Sequence, residues 1–216
     1  MFEQLARKQV ASFDVDAQNT FTPVCPDELP VPDGGSIVAE LNLQASLACV
    51  RIGSKDAHSP EAIWVADEVN GIFTEVKGEN VDVRWPLHAV PGSKGFELIE
   101  GLPEPAEYDY FVWKGVELNM HPYGACYHDL GNKMSTGVIE FAKINDIKGF
   151  VVAGLATDYC VKTTVLQLLQ AGFQVVVNLG GCRGISDKTV SESIAEMQKM
   201  GAVMVDSAKQ IQLKGE

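Results

Sequence analysis

The sequence is poor in positive charge. Seventeen Lys and Arg residues stand against 29 Asp and Glu residues in 216, which gives a formal net charge of −12. Because phosphate groups would repel such a chain, we expect neither nucleic acid nor an anionic membrane surface as a partner. A run of about 18 apolar residues, which a transmembrane helix needs, is also missing. The first ten residues, MFEQLARKQV, carry charges throughout and do not resemble a signal peptide.

The sequence also lacks paired cysteines. Its five cysteines are widely spaced and odd in number, and no CxxC motif indicates a structural zinc site or a redox pair. We therefore expect a cytoplasmic protein whose thiols are reduced and mostly buried. That expectation leaves room for one reactive cysteine.

Short apolar runs alternate with segments of helical periodicity. Helical patterns cover residues 135–146, 161–172 and 187–200. The alternation predicts a three-layer α/β/α sandwich with a mainly parallel sheet. The predicted strands are VASFDVD (10–16), LACVRIGS (47–54), YFVWK (110–114), GFVVAGL (149–155), FQVVVNL (173–179) and AVMVD (202–206).

One long stretch interrupts this rhythm. Residues 56–108 show weak periodicity, and loops of such length are usually functional or disordered. We expect a single domain over residues 1–216, with these residues forming an inserted, metal-binding loop.

Three reactive side chains follow or end predicted strands. Asp16 ends the first run, Lys114 ends the third, and Cys160 lies five residues after the fourth. Because ligands bind beyond the carboxyl ends of parallel strands, we expect the three to meet at one edge of the sheet. Each has an ordinary alternative: a turn residue for Asp16, a solvated loop residue for Lys114 and a small buried residue for Cys160.

Together the three residues form a coherent hydrolytic set. A thiol at the start of a helix is a candidate nucleophile, and a nearby lysine would favour its anion. Asp16 is the better-placed base, because no histidine is near Cys160 in the sequence.

A second set of residues is typical of metal ligands. Asp56 and His58 are two positions apart, so an extended backbone points both side chains the same way. His88 follows thirty positions later. One carboxylate and two imidazoles suit Zn²⁺, Fe²⁺ or Mn²⁺ better than Mg²⁺. The alternative is a pair of unrelated surface histidines.

These motifs resemble a known superfamily. Asp16 in DVDAQNTFTP, Lys114 in VWKG and Cys160 in GLATDYCV are similar to the Asp-Lys-Cys triad of the isochorismatase-like cysteine hydrolases. The resemblance runs roughly from Val10 to Val205. Within the superfamily the sequence is most similar to the nicotinamidases, because of three further stretches: LPVPDGG (29–35), SKDAHSPE (54–61) and WPLHAVPGSKG (85–95).

The resemblance implies a reaction and a substrate. It implies that the protein hydrolyses nicotinamide, or its isostere pyrazinamide, through a thioester on Cys160, as a step of NAD salvage. It implies one divalent metal ion held by the Asp56, His58 and His88 set, zinc first and iron or manganese as alternatives. The fold commonly assembles, so a homo-oligomer is also expected.

The resemblance also assigns the residues around the substrate. Phe21 and Trp85 match ring-binding positions, and Tyr123 is a candidate for the pocket wall. The backbone N–H groups of Ala156 and Cys160 are expected to form the oxyanion hole, after a cis peptide bond between Leu155 and Ala156.

The sequence departs from the nicotinamidases at one ligand position. No second histidine follows His58 closely, so the resemblance leaves that place to water or to an acidic residue, for which the candidates are Glu61, Asp67 and Glu68. For His121 and His128 we expect surface or structural roles.

Two other functions stay open at this point. The protein could be another amidohydrolase of the superfamily, acting on a carbamoyl group or another small amide. It could also be an inactive family member that serves as a binding or scaffold protein.

Overall fold

A six-stranded, wholly parallel sheet forms the centre of the computed structural model, which describes residue 2 and residues 4–214. The order in the sheet is β3-β2-β1-β4-β5-β6. This arrangement confirms the predicted α/β class. The strands are β1 (Val10–Val15), β2 (Val50–Asp56), β3 (Tyr110–Lys114), β4 (Gly149–Leu155), β5 (Gln174–Arg183) and β6 (Val203–Val205).

Among the residues that the structure describes, four α-helices accompany the sheet. In the part of the chain that the structure describes, none of them combines the length and the apolar content that crossing a membrane would require. The helices are α1 (Val38–Ser46), α2 (Val138–Ile144), α3 (Lys162–Gln170) and α4 (Asp187–Lys199).

The two central strands are mostly apolar because both of their faces are covered. Every residue of β1 and of β4 is buried. Buried parallel strands read as continuous apolar runs in a sequence, which is why these two were recognisable. Phe13 of β1 is in register with Ile52 of β2 and Val152 of β4, so the carboxyl ends of the three strands are aligned.

The second strand, the fifth strand and helix α1 differ most from the sequence prediction; β5 continues to Arg183, four residues beyond its predicted end. The second strand begins at Val50 and reaches Asp56, because residues 47–49 form the turn that follows α1. Helix α1 itself was not predicted. Only Leu41 and Gln44 of its nine residues are buried, which leaves a weak apolar pattern.

The sheet has a switch point between β1 and β4. The chain first adds β2 and β3 on one side of β1, and then places β4 on the other side. At such a point the connections leave in opposite directions and open a crevice beyond the carboxyl ends. This crevice is where the candidate catalytic side chains lie.

The segment between β2 and β3 is irregular. Within the described residues it holds one short 3-10 helix, Pro105–Glu107, and isolated bridges such as those joining Val65 to Trp85 and Glu75 to Val83. The inserted, metal-binding role of residues 56–108 stays a prediction.

Candidate active site

The structure brings Asp16, Lys114 and Cys160 together, as the sequence predicted. The Lys114 Nζ atom is 3.1 Å from Asp16 Oδ2 and donates to Cys160 Sγ at 3.6 Å. Asp16 and Lys114 are fully buried, and Cys160 is buried as well. The three side chains therefore form one compact cluster beyond β1, β3 and β4.

The turn after β1 directs the Asp16 carboxylate. Asp16 has a φ of 45°, in the left-handed region, where the chain leaves the strand. Ser54 on β2 donates from its hydroxyl to Asp16 Oδ1 at 2.7 Å. Ser54 was not identified from the sequence. Its signal is the spacing of two from Asp56, which puts both residues on one face of β2.

The proton in this cluster rests on the thiol. Burial raises the pKa of Asp16 to about 6, although the charge of Lys114 opposes the rise. Burial also raises the pKa of Cys160 well above its usual range, and the charges of Asp16 and Asp56 add to it, outweighing the effect expected from Lys114. Near neutral pH a carboxylate therefore stands beside a protonated thiol, so Cys160 must release its proton as it reacts.

Lys114 stays positively charged despite its burial. Burial alone would lower its pKa, but the charges of Asp16 and Asp56 outweigh that effect and raise the pKa well above the usual value. Lys114 donates to Asp56 Oδ1 at 2.5 Å and to the Pro122 carbonyl at 3.3 Å. The Lys114 ammonium group thus links Asp16 and Cys160 to the neighbouring Asp56.

The nucleophile candidate lies on a π-helical turn. The peptide bond between Leu155 and Ala156 is cis, as predicted, and Thr157–Val161 then form a π-helix that continues into α3. Short π-helical turns are frequent at functional sites. Ala156 and Cys160 both line the cavity described below. That their backbone N–H groups form the oxyanion hole stays a prediction.

A cluster of one carboxylate and three imidazoles adjoins the triad. The Nε2 atom of His58 is 3.3 Å from Asp56 Oδ1, and that of His88 is 3.9 Å from Asp56 Oδ2. His121 joins them: the ligand atoms of its ring, His58 and His88 all lie within 4.8 Å of one another. All four side chains are buried.

Backbone carbonyls orient two of these rings for binding. His58 Nδ1 is 3.0 Å from the Gly115 carbonyl, and His88 Nδ1 is 2.7 Å from the Pro86 carbonyl. Because a carbonyl only accepts, each Nδ1 carries the proton and each Nε2 keeps a free lone pair. This tautomer is the one that a metal ligand needs.

The cluster fits a divalent metal ion. Burial lowers the pKa of His88 to about 3 and that of His121 well below the usual range, so both rings are neutral. Neutral imidazole is the ligand form. His58 Nε2 and His121 Nδ1 are buried without a hydrogen-bond partner among the described residues. An ion between the rings would satisfy such atoms.

His121 is buried, which makes the surface role expected for it wrong and leaves the structural one. It is 5% exposed rather than on the surface, and it adjoins His58 and His88. The acidic residues considered for the same place are exposed, namely Glu61, Asp67 and Glu68. The available signal was position, because His121 follows β3 at the edge where Lys114 ends that strand.

A small cavity opens onto both clusters. Phe21, Trp85 and Tyr123 line it, and Cys160 reaches its surface. That the three aromatic residues bind the substrate stays a prediction. The Phe21 ring is 5.7 Å from the His88 ring in an edge-to-face arrangement. Asp56, His88 and His121 also line the cavity, and its remaining walls come from Leu29, Pro122, Ala156 and Ile185. Its aromatic walls suit a small planar molecule.

Comparisons with known proteins identify the family of the chain. Residues 13–209 match the Isochorismatase domain family. The Escherichia coli (strain K12) protein named nicotinamidase is 32% identical over 199 residues, which cover 88% of this chain and 91% of that one.

Solved structures give the same fold. A nicotinamidase–pyrazinamidase from Acinetobacter baumannii has a TM-score of 0.85 at 26% identity, covering 94% of this chain and 99% of that one. A pyrazinamidase of Pyrococcus horikoshii, in complex with zinc, has a TM-score of 0.72 at 24% identity, covering 91% and 98%.

Proposed function

The chain belongs to the isochorismatase family, and from this premise we propose that it is a nicotinamidase, which hydrolyses nicotinamide to nicotinate and ammonia in NAD salvage. One observation carries the proposal. The Asp16, Lys114 and Cys160 cluster and the imidazole cluster open onto the same small aromatic cavity. Nicotinamide needs both clusters, because its carboxamide would react at the first and the ring that carries the carboxamide would bind beside the second. Pyrazinamide, a close isostere, is proposed as a second substrate.

Acylation begins with the protonated thiol. As Cys160 Sγ attacks the carboxamide carbon, its proton passes to Asp16, whose pKa of about 6 suits a base at neutral pH. The oxygen of the tetrahedral intermediate accepts hydrogen bonds from the N–H groups of Ala156 and Cys160. Lys114 stays charged and offsets the negative charge that forms nearby.

The intermediate then loses ammonia. Asp16 returns its proton to the leaving nitrogen, the carbon–nitrogen bond breaks, and a thioester to Cys160 remains. Asp16 next takes a proton from water, which attacks the thioester and releases nicotinate. The proton returns to the thiol, so the enzyme ends in its starting state.

The imidazole cluster is proposed to hold one divalent metal ion. Asp56, His58 and His88, with His121, would be its ligands, and zinc, iron and manganese all accept such a set. When bound, the ion supplies a coordination point for the pyridine nitrogen. The protein's own part is to orient the substrate between Phe21 and Trp85, so that the carboxamide faces Cys160.

Ammonia release from nicotinamide tests the proposal. Purified protein, supplied with Zn²⁺, Fe²⁺ or Mn²⁺ in separate assays, should release ammonia and nicotinate. Cys160→Ala should release none, whereas Cys49→Ala, which changes an exposed cysteine, should match the unaltered protein. Equal release by Cys160→Ala would remove Cys160 as the nucleophile. Release from a carbamoyl compound, and none from nicotinamide, would favour the other amidohydrolase class.

A further inference from the structure

We propose that Asp82, outside the cavity, is a positioning residue that holds the aromatic wall of the substrate site. The inference rests on the proposed function, which identifies the ring bound against this wall as that of nicotinamide. The hydrogen bonds themselves involve only Asp82, Tyr123 and Trp85. These three side chains form a single chain of hydrogen bonds that leads from the protein surface to the cavity.

The direction of every hydrogen bond in this chain is fixed. The indole Nε1–H of Trp85 can only donate, and it donates to Tyr123 Oη at 3.1 Å. An ionised carboxylate can only accept, so the Tyr123 hydroxyl donates to Asp82, with distances of 2.9 Å to Oδ1 and 3.0 Å to Oδ2. The Tyr123 hydroxyl therefore has one orientation that satisfies both neighbours.

Asp82 is itself held in place. The Val83 N–H donates to Asp82 Oδ1 at 2.7 Å, and the Asp82 carbonyl accepts from the Val76 N–H at 2.8 Å. The adjacent Val81 is buried in the same apolar cluster as Trp85. The carboxylate is exposed, but its backbone is anchored beneath the wall that it supports.

The shape of the aromatic wall depends on these hydrogen bonds. Tyr123 and Trp85 meet edge to face at 6.2 Å, and Trp85 meets Tyr159 in the same way at 4.9 Å. These contacts restrain the Trp85 ring, whereas Tyr123 is only partly buried and has its hydroxyl tied to Asp82. A ring-binding site that is already shaped avoids the entropy cost of ordering its walls. Loss of Asp82 should therefore weaken substrate binding and leave the Cys160 chemistry in place.

Steady-state kinetics with nicotinamide test this split. Asp82→Ala should raise KM about tenfold, equivalent to one lost hydrogen bond to a charged group, with kcat within about twofold of the unaltered protein. Asp82→Asn keeps an acceptor oxygen and should restore most of the binding. Glu75→Ala removes the same charge from the facing segment and should leave KM unchanged. An unchanged KM in Asp82→Ala would overturn the proposal.

A double variant tests whether Asp82 acts through Tyr123. If it does, adding Asp82→Ala to Tyr123→Phe should raise KM no further than Tyr123→Phe alone. If the KM increases of the two single variants instead multiply in the double variant, Asp82 acts by another route, and the proposal is overturned.

A spectroscopic test does not depend on activity. The chain has three tryptophans, and their indole N–H groups differ in environment: Trp64 donates to the Met120 carbonyl, and Trp113 is 48% exposed. In ¹H–¹⁵N spectra, Asp82→Ala should shift the Trp85 indole signal and leave the other two in place. An unmoved Trp85 signal would overturn the proposal. If the protein does not hydrolyse nicotinamide, the proposed function fails, and this spectrum still decides the role of Asp82.

Discussion

Asp16 combines full burial with a charge at neutral pH. Its environment contains one full positive charge, that of Lys114, and one hydroxyl donor, that of Ser54. Burial outweighs both and raises the pKa of Asp16 to about 6. A base with a pKa close to the working pH can both take a proton and return it, and the proposed reaction needs both steps.

We predict that Asp16→Asn folds but does not acylate. An amide cannot accept the Cys160 proton, so turnover should fall by about 10²- to 10⁴-fold, the range typical of a lost acid–base group. Intact-mass spectrometry after rapid mixing with nicotinamide should show no acyl-enzyme. Asp187→Asn, on an exposed position of α4, is the control. A normal burst of acyl-enzyme in Asp16→Asn would remove Asp16 as the base.

The same residue sets the expected pH dependence. The reaction needs ionised Asp16, so kcat/KM should be lost as the pH falls through about 6 and should level off above it. The profile of the free enzyme, measured with nicotinamide well below KM, checks this direction. Activity that rises as the pH falls through 6 would contradict it.

At the scale of elements, the candidate metal cluster joins pieces of backbone that lie far apart in the sequence. Asp56 ends β2, His88 comes from the irregular segment, and His121 follows β3. Backbone hydrogen bonds hold these pieces: His58 N–H donates to the Ala89 carbonyl at 3.1 Å, and His121 N–H donates to the Asn80 carbonyl at 2.8 Å. The cluster is therefore a product of loop packing against strand ends.

We predict that His121→Ala binds less metal. Its affinity should fall by more than the roughly 10- to 100-fold typical of losing an outer-shell partner, because the proposed contact is direct. Metal content after dialysis against a weak chelator, measured by mass spectrometry of the elements, checks this. His128→Ala is the matched control, since His128 lies in the same loop outside the cluster. Equal metal content in the two variants would exclude His121 as a ligand.

Residues at the ends of buried strands could be predicted from the sequence more readily than residues in loops. The predicted bounds of β3 and β4 are those observed, because buried parallel strands leave continuous apolar runs. Asp16, Lys114 and Cys160 were recognisable because each lies at or just beyond the end of such a run. The sequence did not predict the roles of His121 and Ser54, because their signals, a position after β3 and a spacing of two from Asp56, are shared by ordinary loop and strand residues. Asp82 acts through contacts with Tyr123, and no spacing in the sequence reports those.

At the scale of the whole molecule, β4 lies between β1 and β5 with little room. Gly154 has a φ of 139°, and a Cβ atom there would lie 1.9 Å from the Val15 carbonyl oxygen. No side chain fits without moving the backbone of the central strand. The close approach of β1 and β4 at this point brings the ends that carry Asp16 and Cys160 together.

We predict that Gly154→Ala lowers the free energy of unfolding by more than about 3 kcal/mol, because backbone strain and a backbone clash add. Gly172→Ala is the control. Gly172 also has a positive φ, of 90°, but open space surrounds it, so the loss should be about 1–2 kcal/mol. Urea unfolding of both variants measures the difference. A loss no larger in Gly154→Ala than in Gly172→Ala would contradict the steric explanation.

The strand order also has a consequence during synthesis. The ribosome delivers β1, β2 and β3 first, and these can pair while β4 is still being made. Until β4 emerges, the free side of β1 is an open edge with unpaired N–H and C=O groups, the kind of surface that recruits other chains. The strand that covers this edge leads directly into the turn that carries Cys160. In a nascent chain, the pairing of β4 with β1 therefore protects this edge from aggregation and, in the same step, completes the cluster of Asp16, Lys114 and Cys160.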